Sequence, residues 1–308
     1  MAKIAYMFAG QGAQHPGMGQ ELWEQSPAVK QLFAKADEIR PGTREQCFHG
    51  QPEELSRTVN TQPCLYCTDL AAALALREAG LEPQGVAGFS LGEVAALAFS
   101  GRLSIEDGFR LVCQRAALMD AAACAHPSGM LAVLKLDHAA VEALCGEFKQ
   151  VYPVNYNSPG QLVVAGAQEE LSEFAARVKQ AGGRAVPLAV SGGFHSPFME
   201  QAAQQLAEVL ADYSFQQGEM PLYSNVTARP YTQDAAQLLS KQVMSPVRWQ
   251  ETIEQMIADG FDTFIEVGVG KTLANLVKKI SPNVTVRVVE DTQSLQDAVA
   301  AWKEGSAC

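Results

Sequence analysis

The sequence has no hydrophobic run of membrane-spanning length, and its basic residues are outnumbered by acidic ones. Its 308 residues include 23 Lys and Arg against 34 Asp and Glu, a formal net charge of −11 at pH 7. Because nucleic acid and anionic lipid repel a negative chain at long range, neither is expected as the main partner. The apolar start, residues 1–8, is too short for a secretory signal peptide. We therefore expect a cytoplasmic protein that does not act at a membrane.

Cysteines are present, but they show no pattern of pairing. The chain has seven, an odd number at irregular spacings: Cys47, Cys64, Cys67, Cys113, Cys124, Cys145 and Cys308. Cys64 and Cys67 form one C-x-x-C motif, but no second pair is available to complete a zinc site. We expect reduced thiols and no metal site.

A serine flanked by glycines carries the strongest chemical signal. Residues 88–92 are Gly-Phe-Ser-Leu-Gly, the G-x-S-x-G pattern in which a serine lies on a sharp turn between a strand and a helix. An apolar run precedes the motif and an alanine-rich run follows it, as such a strand and helix would. Because a Cβ on either glycine would collide with neighbouring elements, the pattern predicts that Ser90 is an exposed nucleophile. The N–H of Leu91 would then be available to an oxyanion.

Two other glycine-rich stretches do not match nucleotide-binding motifs. The loop from Gly10 to Gly19 follows a predicted strand, Ile4 to Phe8, but fits neither the dinucleotide fingerprint nor a P-loop. In the second stretch, Gly268 to Thr272, the match to a P-loop fails because Ile265 stands where the first glycine is required. We therefore expect no nucleotide cofactor. For the first loop two interpretations stay open, a plain tight turn or a second oxyanion donor, the N–H of Gln11.

Arg115 lies on the apolar face of a predicted helix that starts after Ser104 and runs to about Ala125. A buried guanidinium needs an anion, because an unpaired buried charge is strongly destabilising. The sequence is compatible with two partners. One is an Asp or Glu of this chain, and the other is the carboxylate of a bound substrate.

The middle of the chain changes to shorter elements in the order βαββαβ, which is typical of a ferredoxin-like unit. We therefore predict an α/β fold with two domains: a large α/β-hydrolase-like domain with a parallel sheet, residues 1–125 and 191–308, and a small inserted ferredoxin-like domain, residues 126–190.

His195 follows the junction in a glycine-flanked loop, a common location for sites. It is the predicted general base for Ser90, with a structural histidine or His15 in the first glycine loop as alternatives.

These motifs occur together, and in this order, in a known family. The sequence resembles malonyl-CoA:acyl carrier protein transacylases and the related acyltransferase domains of polyketide synthases over essentially its whole length. The resemblance rests on residues 8–12 (Phe-Ala-Gly-Gln-Gly), 61–63 (Thr-Gln-Pro), 88–93, 115, 155–161, 194–196 (Phe-His-Ser), 246–249 (Pro-Val-Arg-Trp) and 266–268 (Glu-Val-Gly).

The resemblance implies transfer of malonyl from coenzyme A to the phosphopantetheine thiol of acyl carrier protein, through a malonyl-serine intermediate and without a cofactor. It implies a dyad of Ser90 and His195 with no acidic third member, the imidazole being held by a backbone carbonyl from the loop that contains Arg248. It further implies an oxyanion hole formed by Gln11 and Leu91. The expected substrate-binding residues are Arg115, which would bind the malonyl carboxylate, Phe194, Gln62, Asn157, Arg248 and Phe89. We expect a monomer.

Three positions bear on how far the resemblance extends. Phe89 replaces a histidine that is common in malonyl enzymes, so the wall of the acyl pocket is expected to differ. Phe194 is the residue found before the histidine in malonyl-selective members, and it should crowd a 2-methyl branch. Val269 replaces a proline that is usual in the family, with an effect expected only on the turn.

Other functions share part of this pattern. A serine hydrolase or thioesterase shares the G-x-S-x-G turn, but it normally has an acidic residue between serine and histidine in the chain. A trans-acting polyketide acyltransferase would use another extender unit, and a docking subunit of a synthase would be non-catalytic. An acidic carrier protein would need a basic surface on this acidic chain. Lys271, Lys278 and Lys279 form one candidate, Lys179 with Arg184 forms another, and each lysine could equally lie on a solvated helix face.

Overall fold

The computed structural model describes residues 2–232 and 234–306, so Cys308 lies outside the described residues. None of the described helices is both long enough and apolar enough to cross a bilayer. In chain order the elements are β1 (Ile4–Phe8), α1 (Gln20–Gln25), α2 (Pro27–Ile39), α3 (Thr43–His49), α4 (Pro52–Leu55), α5 (Thr58–Glu78), β2 (Gly85–Gly88), α6 (Leu91–Phe99), α7 (Ile105–Ala125), β3 (Ser128–Leu134), α8 (His138–Cys145), β4 (Val151–Ser158), β5 (Gln161–Ala167), α9 (Gln168–Gln180), β6 (Arg184–Pro187), α10 (Glu200–Leu210), β7 (Leu222–Tyr223), α11 (Ala235–Gln242), α12 (Trp249–Ala258), β8 (Thr263–Val267), α13 (Thr272–Ile280), β9 (Thr285–Val289) and α14 (Thr292–Ser306).

Five strands form a parallel sheet in the order β7-β2-β1-β8-β9. The central strand β1 is buried along its whole length, as expected where helices cover both faces of a parallel sheet. Its last residue, Phe8, is in register with Gly88 of β2 on one side and with Val267 of β8 on the other. The loops after these three strands therefore leave the sheet at one edge, which is where open α/β sheets bind ligands.

Four strands form a second, antiparallel sheet in the order β4-β5-β3-β6. With α8 and α9 they give the βαββαβ order and the strand arrangement of a ferredoxin-like unit. All four strands lie between Ser128 and Pro187, inside the segment predicted as the small domain, whose boundaries at 126 and 190 stay predictions. The parallel sheet and this smaller sheet confirm the predicted fold class.

Backbone hydrogen bonds join the second sheet to the loop between α11 and α12. The N–H of Val247 donates to the carbonyl of Val154 at 2.8 Å, and the carbonyl of Val247 accepts from the N–H of Tyr156 at 2.9 Å. Val247 therefore extends the edge of the sheet beside β4. The loop that leaves α11 is held by the small sheet as well as by the helices on either side of it.

The buried helix α5 differs from its prediction. The sequence predicts a helix from Leu65 to Ala79 with Pro63 in its first turn, whereas α5 begins at Thr58 and contains Pro63 in its interior. A proline there costs one backbone hydrogen bond, but α5 is buried on nearly every face, and tertiary packing supplies most of the stability of such helices. Cys64 and Cys67 lie within α5 as buried free thiols. The expectation of unpaired thiols is confirmed for the described cysteines.

Candidate functional site

Ser90 occupies a strained turn between β2 and α6. Its φ of 55° and ψ of −108° lie where non-glycine residues are rare. The flanking glycines make this turn possible. A Cβ on Gly88 would lie 2.0 Å from the carbonyl carbon of Gly92, and one on Gly92 would lie 2.3 Å from the carbonyl oxygen of Phe8. The prediction that neither glycine tolerates a side chain is confirmed.

His195 faces Ser90 with the nitrogen that a general base needs. Nε2 of the imidazole lies 2.8 Å from the hydroxyl oxygen of Ser90, and Nδ1 lies 2.8 Å from the carbonyl oxygen of Gln242. Because a carbonyl only accepts, Nδ1 carries the proton and Nε2 is left to accept the serine proton. Burial, and then the nearby Arg115 cation, lower the pKa of His195 to about 4, so the imidazole is neutral at pH 7.

The carbonyl that holds the imidazole comes from a different position than the resemblance implies. The carbonyl at hydrogen-bond distance belongs to Gln242, the last residue of α11, and the backbone of Ser245, in the loop that contains Arg248, is a second and weaker influence that also raises the pKa of His195. The reason is physical, because the last carbonyls of a helix have no intrahelical donor and are available to other groups. His15, the alternative base, has its Nδ1 2.9 Å from the carbonyl of Pro16 and lines a separate cavity with Glu290, whereas His195 is the histidine at Ser90.

Arg115 is buried against Ser90, and only 2% of it is exposed. Its Nη2 donates to the Ser90 hydroxyl at 3.1 Å and to Oε1 of Gln242 at 2.8 Å, while Nη1 donates to Oε1 of Gln62 at 2.7 Å. Among the described residues no carboxylate lies within 4.0 Å of this guanidinium, and its Nε has no hydrogen-bond partner. Burial lowers the pKa of Arg115 to about 10, which leaves it a cation at pH 7. The structure therefore does not contain the internal salt bridge that the sequence left open.

Polar residues that sequence reasoning did not single out support Ser90 from behind. The side chain of Asn225 accepts from the N–H of Ser90 at 2.8 Å and donates to the carbonyl of Gly88 at 2.7 Å. The amide nitrogen of Gln242 donates to the carbonyl of Ser90 at 2.9 Å and to Oε2 of Glu93 at 2.7 Å. Burial raises the pKa of Glu93 to about 7 despite these hydrogen bonds. The one available signal was Glu93, a charged residue inside the otherwise apolar helix α6.

A cavity of about 250 Å³ opens beside this turn, between the two sheets. Gln11 and Phe89 line it on the side of the parallel sheet, and Asn155 and Asn157 line it from β4. Nε2 of Gln11 and Oδ1 of both asparagines are buried and have no partner among the described residues, so the cavity offers hydrogen-bonding groups to a ligand. A larger surface groove, about 730 Å³ and lined by Arg102, contains none of the predicted site residues.

The two predicted oxyanion donors lie at the same edge of the sheet. Leu91 is the first residue of α6, where an N–H has no intrahelical acceptor. Gln11 follows β1, and the N–H of Phe89 donates to the carbonyl of Phe8 at 3.0 Å, which ties the end of β1 to the turn that bears Ser90. The use of these two N–H groups by an oxyanion stays a prediction.

Of the remaining predicted site residues, some contact the site and one does not. Gln62 contacts Arg115, and Phe89 packs on Trp249 with their ring centroids 5.5 Å apart. Phe194 is buried in the loop that carries His195, and its contact with an acyl group stays a prediction. The structure does not bring Arg248 to the cavity. Its half-exposed side chain instead forms an ion pair with Glu251, because residues three apart at the start of α12 lie on one face of the helix.

A metal centre has no support in the part of the chain that the structure describes. No group of three or more His, Cys, Asp or Glu side chains there could hold an ion. The reacting groups at the site are a serine that is half-buried rather than fully exposed as predicted, a neutral imidazole and a guanidinium, with helix and loop N–H groups beside them.

Comparison with known proteins places the chain in one family. Residues 5–297 match the acyl transferase domain family. A malonyl CoA-acyl carrier protein transacylase of Bacillus subtilis (strain 168) is 39% identical over 312 residues, which cover 99% of this chain and 98% of the relative. The crystal structure of the transacylase of that name from Clostridium perfringens has a TM-score of 0.96 and is 37% identical, with 99% of both chains covered.

A second solved structure shows such an enzyme with its partner. It is a type II polyketide synthase acyl carrier protein in complex with its malonyl-transacylase, with a TM-score of 0.93 and 36% identity. The match covers 97% of this chain and 100% of that one. The chain therefore belongs to the acyl transferase domain family and, within it, to the malonyl CoA-acyl carrier protein transacylases.

Proposed function

We propose that this protein moves malonyl from malonyl-CoA to the phosphopantetheine thiol of an acyl carrier protein, in two half-reactions through a malonyl ester on Ser90. The observation that carries this proposal is the guanidinium of Arg115, which is buried against Ser90 and has no carboxylate partner within 4.0 Å among the described residues. The free carboxylate of a malonyl group supplies that anion, and a planar guanidinium binds it with two parallel hydrogen bonds.

In the first half-reaction the hydroxyl of Ser90 attacks the thioester carbonyl. Its proton passes to Nε2 of His195, which lies 2.8 Å away, and the carbonyl oxygen becomes an oxyanion that the N–H groups of Gln11 and Leu91 stabilise. The intermediate then collapses, the C–S bond breaks, and the departing coenzyme A thiolate takes the proton from the His195 imidazolium. The products are malonyl-Ser90 and free coenzyme A.

In the second half-reaction Ser90 and His195 take the opposite roles: Ser90 is the leaving group, and His195 accepts a proton from the incoming thiol. The phosphopantetheine thiol gives its proton to Nε2 of His195, and the sulfur attacks the malonyl ester. When this second intermediate collapses, the C–O bond to Ser90 breaks and the imidazole returns the proton to the serine oxygen. Serine and histidine thus supply the nucleophile and the base, and the proposed reaction requires no cofactor.

The cavity explains how one site serves both thiols. Donor and acceptor carry the same pantetheine arm, which contains two amide groups. The unpartnered oxygens of Asn155 and Asn157 can accept from its amide N–H groups, and the side-chain nitrogen of Gln11 can donate to a carbonyl. The six described thiols, all free, agree with a cytoplasmic location.

Mass spectrometry of the intact protein after mixing with malonyl-CoA tests the proposal. The expected result is an added malonyl group on Ser90, its loss from Ser90→Ala, and its release as malonyl-carrier protein when phosphopantetheinylated carrier protein is added. Ser172→Ala, at an exposed position on α9, is the matched serine control and should acylate normally. Absence of the adduct from wild-type protein would exclude the proposal, and release of free malonate without transfer would favour a hydrolase.

A further inference from the structure

Glu93 is a buried carboxylate that takes no part in the proton transfers described above. It lies in the first turn of α6 and is fully buried. Its Oε1 accepts from the hydroxyl of Tyr231, and its Oε2 accepts from the N–H of Asn225 at 3.1 Å and from the side-chain nitrogen of Gln242 at 2.7 Å. The two oxygens of this side chain receive three donors, so the buried group is fully hydrogen-bonded.

These contacts determine which way the Gln242 amide faces. A carboxylate only accepts, so the NH2 group of Gln242 must point towards Glu93, and the amide oxygen must point the other way. That oxygen accepts from Nη2 of Arg115 at 2.8 Å. If the amide were reversed, its NH2 group would meet the N–H groups of Arg115, which have no lone pair to offer.

Gln242 also contacts the other two reacting groups. Its amide nitrogen donates to the carbonyl of Ser90 at 2.9 Å, and its backbone carbonyl accepts from Nδ1 of His195 at 2.8 Å. Through the N–H of Asn225, Glu93 also reaches the residue whose side chain bonds Ser90 N and Gly88 O. Glu93 therefore contacts both Asn225, which holds the turn at Ser90, and Gln242, which holds the guanidinium of Arg115.

We propose that Glu93 is a positioning residue: by fixing the Gln242 amide it holds Arg115 in the orientation that selects malonyl over acyl groups without a carboxylate. This inference rests on the proposed function. A purely structural role for Glu93 would lower the amount of folded protein but leave the acyl selectivity of the folded fraction unchanged. Selectivity is therefore the quantity to measure.

Three variants separate contact from charge. In Glu93→Gln the amide oxygen still accepts from Gln242 and Asn225, and its NH2 group can donate to the Tyr231 oxygen, so the contacts survive without the charge. Glu93→Asp keeps the charge but is one methylene too short to reach Tyr231 and Gln242 together. Glu93→Ala removes both. Val178→Ala, in the core of the small sheet, is a destabilising control away from the site.

The experiment compares kcat/KM for acylation of Ser90 by malonyl-CoA and acetyl-CoA, with thermal unfolding measured in parallel. We expect the malonyl-to-acetyl ratio to fall about ten- to a hundredfold in Glu93→Ala and by a smaller factor in Glu93→Asp. Glu93→Gln should stay within about threefold of wild type. Val178→Ala should lose stability with its ratio unchanged.

Two results would overturn the inference. One is an unchanged ratio in folded Glu93→Ala, and the other is a Gln variant less selective than the Asp variant. If Glu93→Ala does not fold, the order of the Gln and Asp variants decides alone. Failure of the proposed function is separately visible, because wild-type protein would then not acylate with malonyl-CoA.

Discussion

Arg115 is a cation held by three neutral oxygens, those of Ser90, Gln62 and Gln242. These acceptors leave the guanidinium without a direct carboxylate contact. Glu93 attracts it only from the far side of the Gln242 amide, so an incoming carboxylate can still form the direct hydrogen bonds. Arg115→Ala should therefore lower kcat/KM for malonyl transfer by about a hundredfold, the effect of a lost charge-assisted hydrogen bond, and raise that for acetyl-CoA. Steady-state assays with the two thioesters measure both changes.

A surface arginine on the same helix provides the control for this substitution. Arg110 is half-exposed on α7 and pairs only loosely with Asp107, at 3.7 Å. Exposed pairs of this kind contribute little, so Arg110→Ala should leave both acyl groups unaffected. An Arg115→Ala variant that loses malonyl and acetyl transfer equally would show that the arginine has only a structural role.

The pH dependence of acylation follows from the environment of His195. The imidazole accepts a proton only when neutral, and burial has lowered its pKa to about 4. Between pH 6 and 8 the base is already deprotonated, so kcat/KM for malonylation should be flat with respect to this group and fall as the pH drops through 5 towards 4. Rapid-quench measurement of malonyl-Ser90 across this range tests the prediction.

A second titration can be assigned in the same experiment. Glu93, whose pKa is raised to about 7 by burial, is the neighbouring group that would add a step near neutrality. Such a step should disappear in Glu93→Gln. A loss of rate centred at pH 6.5, the unperturbed value of histidine, that persists in Glu93→Gln would contradict the placement of His195 in a buried site.

The strained backbone at Ser90 lowers the stability of the protein but places the serine hydroxyl at the site. Its φ of 55° is unfavourable for a residue with a Cβ and is acceptable for glycine. Ser90→Gly should therefore be more stable than Ser90→Ala by about 1 kcal/mol, since both lack the hydroxyl and only glycine relieves the strain. Chemical denaturation of the two inactive variants measures this difference. Equal stabilities would mean that the surroundings, rather than the residue, determine the turn.

At the scale of elements, local signals predicted some boundaries well and others poorly. Ser104 was predicted to begin a helix, and its side chain accepts from the N–H of Asp107 at 3.0 Å at the start of α7. The first seven residues of α5 were missed, because Pro63 signals a helix start while burial of the whole helix outweighs that signal. The apolar run Leu222 to Thr227 predicts a strand, but β7 contains only Leu222 and Tyr223, because the chain turns from Ser224 to Ala228, whose N–H donates to the carbonyl of Ser224 at 2.9 Å.

The site shows the same division between local and distant information. Ser90, His195 and Arg115 could be predicted because each has an unusual local context, a pinched turn, a glycine-flanked loop or an apolar face. Asn225 and Gln242 have no such context. Gln242 lies 152 positions from Ser90 in the chain, and the two residues meet only in the folded structure. Hydrogen-bond partners at that separation cannot be obtained from spacing alone.

Strands β1 and β2 and helix α6 pack closely at the turn that bears Ser90, and this packing leaves no room for a side chain at Gly92. A Cβ on Gly92 would lie 2.3 Å from the carbonyl oxygen of Phe8, and neither α6 nor β1 can move without breaking the sheet. Gly92→Ala should therefore destabilise the protein by about 3 kcal/mol, as overpacking does. Denaturation midpoints provide the measurement. Gly146→Ala, at an exposed α-helical position after α8, is the control and should be nearly neutral.

At the scale of the whole molecule, the chain has a net charge of −11, but basic side chains lie beside the cavity. Helix α13 lines the cavity through Leu273 and Leu276 and carries two exposed lysines in its last turn. One of them, Lys279, donates to the side chain of Gln161 on β5 at 3.2 Å, across the rim of the cavity. The alternative basic pair, Lys179 and Arg184, lies on α9 and β6, and neither residue lines the cavity.

This arrangement distinguishes the two basic surfaces predicted from the sequence. A carrier protein must bring its thiol to Ser90, so its acidic surface should meet the lysines beside the cavity. Lys278→Glu should lower kcat/KM for transfer to carrier protein about tenfold at low salt and much less at 0.5 M salt, where a charge contact is screened. Malonylation of Ser90 by malonyl-CoA should stay unchanged, because Lys278 does not line the cavity.

Lys179→Glu introduces the same charge change on the other surface. If it slows carrier transfer as much as Lys278→Glu does, or if neither effect depends on salt, the docking surface does not lie at α13.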